Sequence, residues 1–153
     1  MTPCTVKWQK QEVARDPSTA PSEAPAQLKA VALKLFAERG VDGVSVRQIA
    51  EAAGQKNHAA LTYYFGSKDR LVRELIVDGA RAIDDRRNAA LDRAIAAGGL
   101  RSVAEVMEIL VETSIDPDPP AWGECYNRFV VGLQLSNRRL FMDALAGRWN
   151  RGY

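Results

Sequence analysis

Apolar residues recur along this chain at helical spacing, and no stretch sustains the alternation of a strand. From about Ala26 to Arg39, Leu28, Val31, Ala32, Leu35 and Phe36 make one stripe, with Pro25 suited to a first turn and Gly40 closing the element. Val46, Ile49, Ala50 and Ala53 follow i, i+3, i+4, i+7. Ser45 and Gln48 precede that stripe as a Ser-x-x-Gln capping box, and Gly54 ends it. A third segment is expected to start near Asn57 and run to Phe65, with Leu61 and Phe65 facing one way, Tyr64 on their flank, and Ala59, Thr62 and Tyr63 facing the other. So short a helix is unstable alone. It must dock through Leu61 and Phe65, and Leu35 and Phe36 are the expected seat for Ile49 and Leu61.

Ser67 is placed to cap a fourth helix, whose pattern persists from Lys68 until Gly98-Gly99, near 30 residues or about 45 Å. A second capping box, Ser102 with Glu105, opens a fifth helix with Val103, Val106, Met107, Leu110 and Val111 as its apolar face. Pro117, Pro119 and Pro120 break the chain after Ile115. A sixth helix is expected from about Ala121 to Leu135. After an interruption at Asn137, a seventh segment carries Leu140, Phe141, Ala144, Leu145 and Trp149.

The expected class is all-α: a three-helix helix-turn-helix domain over 25–71, joined by a long helix to a short helical body over 72–153. Residues 1–24, rich in Pro, Ser, Thr and charge, read as a disordered tail. Lys7, Trp8, Lys10 and Arg15 are candidates for a minor-groove arm, with a solvated tail as the plainer reading.

At 153 residues, 46% hydrophobic and 26% charged, the chain suits one domain or two small ones sharing a core. No apolar run reaches the roughly 18–20 residues of a membrane span, and no signal-peptide core precedes the helices, so a cytoplasmic location is expected. Cys4 and Cys125 match no metal spacing and read as free thiols. The net charge of +2 is uneven: residues 25–75 carry eight Lys/Arg against five Asp/Glu, while 76–153 carry ten against eleven. The positive excess therefore coincides with the helix-turn-helix. The run Asp84-Asp85-Arg86-Arg87 reads as a solvated helix face.

Two short helices joined by a glycine-containing turn can set the second into a DNA major groove. The residues placed to meet DNA are Ser45, Val46 and Arg47 at the second helix, Lys56, Asn57, His58, Ala59, Thr62, Tyr63 and Tyr64 at the third, and Lys68 opening the fourth. Arg47, Lys68 and the amides beside Ser45 would hold phosphates, and the third helix would read base edges. His58 is equally explained as an exposed first-turn residue, and Tyr64 as core.

Residues 28–71 resemble the N-terminal DNA-binding domain of the TetR family of transcriptional regulators. The resemblance lies in Leu35-Phe36-Ala37-Glu38-Arg39-Gly40, Ser45-Val46-Arg47-Gln48-Ile49-Ala50, Ala53-Gly54 and Tyr63-Tyr64-Phe65-x-Ser67-Lys68, in order. The chain departs from the pattern in a turn one residue longer before Phe65, in Thr62 where tyrosine is usual, and in Tyr64 where histidine is usual. The resemblance implies a repressor that binds a palindromic operator as a homodimer and is relieved by a small apolar ligand. Met107, Leu110, Trp122, Tyr126, Phe129 and Phe141 are the candidate pocket residues, although aromatics and methionines at helical spacing are more often plain core. The body is shorter than is usual in the family, so the dimer contact is expected from residues 122–149, with Leu140, Phe141, Leu145 and Trp149 exposed. With one histidine and no nucleophile, base or metal-ligand constellation, neither an enzyme nor a cofactor is expected. The alternative function is a helical ligand-binding or interaction protein that keeps this fold but reads no operator, its dimer interface being absent.

Overall fold

Glycines, capping serines and the proline cluster mark where the helices of this chain end. The computed structural model describes residues 20–55, 57, 59–115 and 120–146, the side chains of 20–22 and 120–122 excepted. Six helices follow one another: α1 (Ala20–Arg39), α2 (Val46–Ala52), α3 (Ala60–Phe65), α4 (Lys68–Ala96), α5 (Val103–Ile115) and α6 (Pro120–Leu145). No strand occurs among the described residues, and no helix there is long and apolar enough to cross a membrane.

The boundaries of α1 and α6 differ from expectation. Helix α1 begins at Ala20, so residues 20–24 are helical rather than tail, and Pro25 sits inside the helix. As the sixth residue of the helix, Pro25 lacks the amide that would pair with the carbonyl of residue 21, so one bond of the second turn is missing. The tail and its Lys7, Trp8, Lys10 and Arg15 lie outside the described residues. The expected sixth and seventh segments are two arms of α6, bent where Asn137 leaves helical geometry (φ −147°, ψ 65°). The Asn137 side chain accepts the Leu140 amide at 3.0 Å, as an N-cap does, and restarts the helix.

Helix α6 folds back over α1, which it packs against more extensively than any other pair of helices does. Phe129 stacks on Phe36 of α1, ring centroids 6.0 Å apart and planes 24° apart. Leu28, Ile49, Leu61, Leu71, Leu75, Phe129 and Leu133 belong to one continuous buried cluster, so head and body share a core. Burying Phe129 alone contributes about 1.5–3 kcal/mol. Leu140 and Ala144 are buried in the same cluster, with Phe141 and Leu145 half-buried against it. The second arm of α6 is thus core, and the exposed face expected on it is absent; Trp149 lies outside the described residues.

Tyr126 fastens α6 to α4. Its ring lies where a side chain at residue 79 would be: a Cβ on Gly79 would overlap it. Its hydroxyl donates to the Ile76 carbonyl at 2.9 Å. Burial, reinforced by the Asp78 charge, raises the phenol's pKa well above the ordinary 10 and keeps the donor protonated. Lys29 of α1 fastens the head to the same helix, with its ammonium 2.7 Å from Asp78 and 2.9 Å from Glu74. Partial burial disfavours that charge. The hydrogen bonds and charges of Asp78 and Glu74 outweigh the penalty, and the Lys29 pKa rises above 10.5. Its stabilising effect is therefore full below that value and is lost only as pH climbs through the raised one.

Two further expectations are corrected here. Cys125, 2% exposed, is disulfide-bonded rather than a free thiol. Arg86 and Arg87 are not a solvated face. They reach across to α5, where Arg86 Nη2 donates to the Thr113 carbonyl at 3.1 Å and Arg87 Nη2 to Ser114 Oγ at 3.3 Å.

Gly79→Ala is expected to cost about 1–3 kcal/mol by overpacking against Tyr126, despite alanine's better helix propensity. Urea denaturation of a double-mutant cycle with Tyr126→Leu checks the cause. With the ring gone, the alanine should be neutral or stabilising, and an equal loss in both backgrounds would refute the packing argument.

Candidate nucleic-acid interface

The local chemistry of Ser45 through Gly54 builds a rigid first half. Ser45 Oγ accepts the Gln48 amide at 3.2 Å, and Gln48 Oε1 accepts the Ser45 amide at 2.8 Å, completing the expected capping box. At the other end Gly54 takes φ +67°. The Gly54 amide donates to the Glu51 carbonyl at 3.0 Å and the Gln55 amide to the Ala50 carbonyl at 2.9 Å, the paired bonds of a Schellman stop. Only a residue free to adopt a left-handed backbone closes this turn without strain.

The second half is shorter than expected. Asn57 does not cap α3: its Oδ1 accepts the Ala59 amide at 2.9 Å, forming a turn, and α3 begins at Ala60 with no side-chain cap. An asparagine finds its partner two residues on as readily as at a helix start. Leu61 and Phe65 are buried, 0% and 4% exposed, and hold α3 to the core. Thr62 and Tyr63 therefore face outward, Tyr63 at 82% exposure. Tyr64 is less exposed and meets Tyr63 edge to face, centroids 5.0 Å apart. Asn57 and Ala59 are exposed beside them, while Lys56 and His58 lie outside the described residues.

The flanking candidates separate into different roles. Ser45 is exposed, but its hydroxyl and amide serve the capping box; Val46 is half-buried against the core. Arg47 is exposed and paired with Glu51 at 2.8 Å, an i,i+4 contact that solvent screens and an incoming phosphate can replace. Lys68 departs furthest from expectation. Its ammonium donates to the Val41 and Val44 carbonyls, both at 3.1 Å, so two of its three protons tie α4 to the loop between α1 and α2. A phosphate could take only the third. Sequence reasoning found the cation but not the clamp, because carbonyls left over by a loop carry no signal in side-chain identity.

The candidate ligand residues do not converge. Met107 is exposed, Leu110 half-buried, Phe129 is core, and the Trp122 side chain lies outside the described residues. Of the candidates whose side chains are described, Tyr126 and Phe141 alone line a half-open cleft of about 260 Å³ between α4, the end of α5 and α6. Arg87, Ser114 and Asn127, which the sequence did not single out for it, line the same cleft.

Residues 28–75 match the model of the family described as bacterial regulatory proteins, tetR family. No curated protein matches the chain. Among solved structures, the chain is similar to a TetR family transcriptional regulator, PfmR, from Thermus thermophilus, at 21% identity and a TM-score of 0.57. The match covers 78% of this chain and 60% of that one, so this chain spans only about three-fifths of that structure, a likeness of fold.

Three substitutions separate the roles in equilibrium denaturation. Leu61→Ala is expected to cost about 2–5 kcal/mol as a buried leucine. Lys68→Met should cost about 1–3 kcal/mol by stranding two carbonyls. Tyr63→Ala should stay within about 0.5 kcal/mol as a surface change. Unchanged stability in Lys68→Met would remove the clamp.

Proposed function

We propose that this chain, whose residues 28–75 match the model of the tetR family of bacterial regulatory proteins, is a DNA-binding transcriptional repressor that sets α3 into the major groove of a palindromic operator as a homodimer and releases it on binding a small ligand. The observation that carries this reading is the outward face of α3. Thr62 and Tyr63 stand exposed on a helix whose opposite side, Leu61 and Phe65, is locked into the core. A large aromatic left 82% in water, touching only the edge of the Tyr64 ring in the aromatic contacts described, is suited to apolar and hydrogen-bonded contact with base edges or sugar-phosphate. Arg47 supplies an exposed cation one helix away, and the exposed Asn57 adds an amide.

A single helix reads few base pairs, so the operator reading requires two copies. Apolar surface suited to that contact lies on α5 and on the outer side of α6. Val103, Met107, Val111 and Ile115 recur every four residues along α5 and are all exposed; Val131, Leu135 and Met142 are exposed on α6. Exposed Glu108 and Glu112 accompany the first stripe, and exposed Arg138 and Arg139 the second. Opposite charges favour α5 of one copy against α6 of the other, a contact that a two-fold axis repeats.

Gel shifts with DNA flanking the chain's own gene test the reading of bases. Tyr63→Ala should lose specific binding while remaining folded. Arg47→Ala should weaken all DNA alike and lower the slope of log K against log salt by about one. Specific binding undiminished in Tyr63→Ala would overturn the assignment of α3. Light scattering across a dilution series tests assembly: a dimer is expected, and Leu135→Glu should split it into folded monomers. A wild-type monomer at tens of micromolar, binding DNA without sequence preference, would favour the alternative of an interaction protein.

A further inference from the structure

The outward side of α3 is short of charge. From Ala59 to Gly66 the chain carries no guanidinium, ammonium, carboxylate or carboxamide. What stands exposed there is Ala59, Thr62 and Tyr63, with Tyr64 less exposed beside them. Tyr63 is not a loose side chain. Phe65 is anchored in the core at 4% exposure, and the Tyr64 ring leans on it with centroids 6.4 Å apart. The Tyr63 ring meets Tyr64 edge to face at 81°, 5.0 Å between centroids. The outermost ring is thus braced by two others, and a braced side chain has less freedom to lose on contact.

The bases of a major groove need different side chains. Guanine is taken by arginine or lysine, adenine by asparagine or glutamine with two hydrogen bonds, and cytosine by a carboxylate. None of these groups lies on α3. Asn57, in the turn before it, already accepts the Ala59 amide on its Oδ1 at 2.9 Å, so its carboxamide is tied to its own backbone. Arg47 belongs to α2 and pairs there with Glu51. Thymine differs from the other bases in presenting a 5-methyl group, which is met by apolar contact from an alanine, a threonine methyl or an aromatic ring. Those are the groups that Ala59, Thr62 and Tyr63 carry.

From these observations we infer that α3 reads thymine, with the Thr62 methyl and the Tyr63 ring packed against thymine 5-methyl groups, and that the operator holds thymines where α3 covers it. Sequence is then selected by burying methyl groups rather than by paired hydrogen bonds. The hydroxyls of Thr62 and Tyr63 remain for water or a phosphate oxygen. The inference rests on the operator reading proposed above and specifies the base which that reading selects.

Enrichment of sites from a random duplex library by the whole chain supplies the operator. Gel shifts then compare the enriched site with the same site carrying deoxyuridine in place of thymidine. Uracil pairs as thymine does and lacks only the 5-methyl group. Each contacted methyl should be worth about four-fold in affinity, the equivalent of one buried methylene, so one such contact in each of two half-sites gives about sixteen-fold. A scrambled duplex should bind equally with either base. Thr62→Ser, which removes a methyl and keeps the hydroxyl, should weaken binding to the thymine site more than to the uracil site. The wild-type comparison needs no variant, so a misfolded Thr62→Ser does not remove the test. Equal binding of the two enriched duplexes, an equal loss on the scrambled one, or an enriched site without invariant thymines would each overturn the inference and leave operator reading in place. A library that yields no enriched site overturns both, so the two failures are distinguishable.

Discussion

Tyr126 and Phe129 occupy successive turns of α6 and press on two different helices, and the placement of the remaining elements depends on that double contact. Phe129 stacks on Phe36 and so fixes α6 against α1. Tyr126 fills the space left by Gly79 and bonds the Ile76 carbonyl, fixing α6 against α4. A helix that grips α1 and α4 together makes the head and the body one packed unit. The six-residue α3, far too short to persist alone, inherits its orientation from that unit through Leu61 and Phe65.

Much of this was legible from residue spacing, and the misses share a cause. Capping boxes, glycine stops and the Asn137 break are local devices, whose chemistry lies within a few residues of the helix end they set. The burial of Leu33 was not legible. It lies off the main stripe of α1, yet it belongs to the buried cluster that α1 shares with α6, a packing that no local pattern announces. The packing of α6 likewise makes Leu140 core rather than part of an expected contact face, with Phe141 and Leu145 half-buried against it. In α3, the start at Ala60 instead of Asn57 turned on which of two amides the Asn57 side chain would meet, a choice separated by little energy.

Charge was the least legible property. The surplus of cations between residues 25 and 75 coincides with the helix-turn-helix, yet two of those cations serve the fold. Lys29 closes α1 onto Glu74 and Asp78, and Lys68 closes the α1–α2 loop onto α4. Formal charge along a segment is therefore a poor measure of the charge it offers to a phosphate. Arg47, whose exposed partner Glu51 is easily exchanged, is better placed, beside a helix that presents Thr62 and Tyr63.

The cleft and the head are connected by shared atoms rather than by distance. Tyr126 lines the cleft and is also the ring that seats α6 on Gly79 of α4. Phe141 lines it from the second arm of α6, past the Asn137 bend, and Arg87 from the distal half of α4. A ligand there touches both helices that the core holds in register, and α4 leads directly to the Ser67 cap and the Lys68 clamp on the head. Contact alone shifts nothing, because a ligand moves an equilibrium only by the difference between its affinities for the two arrangements.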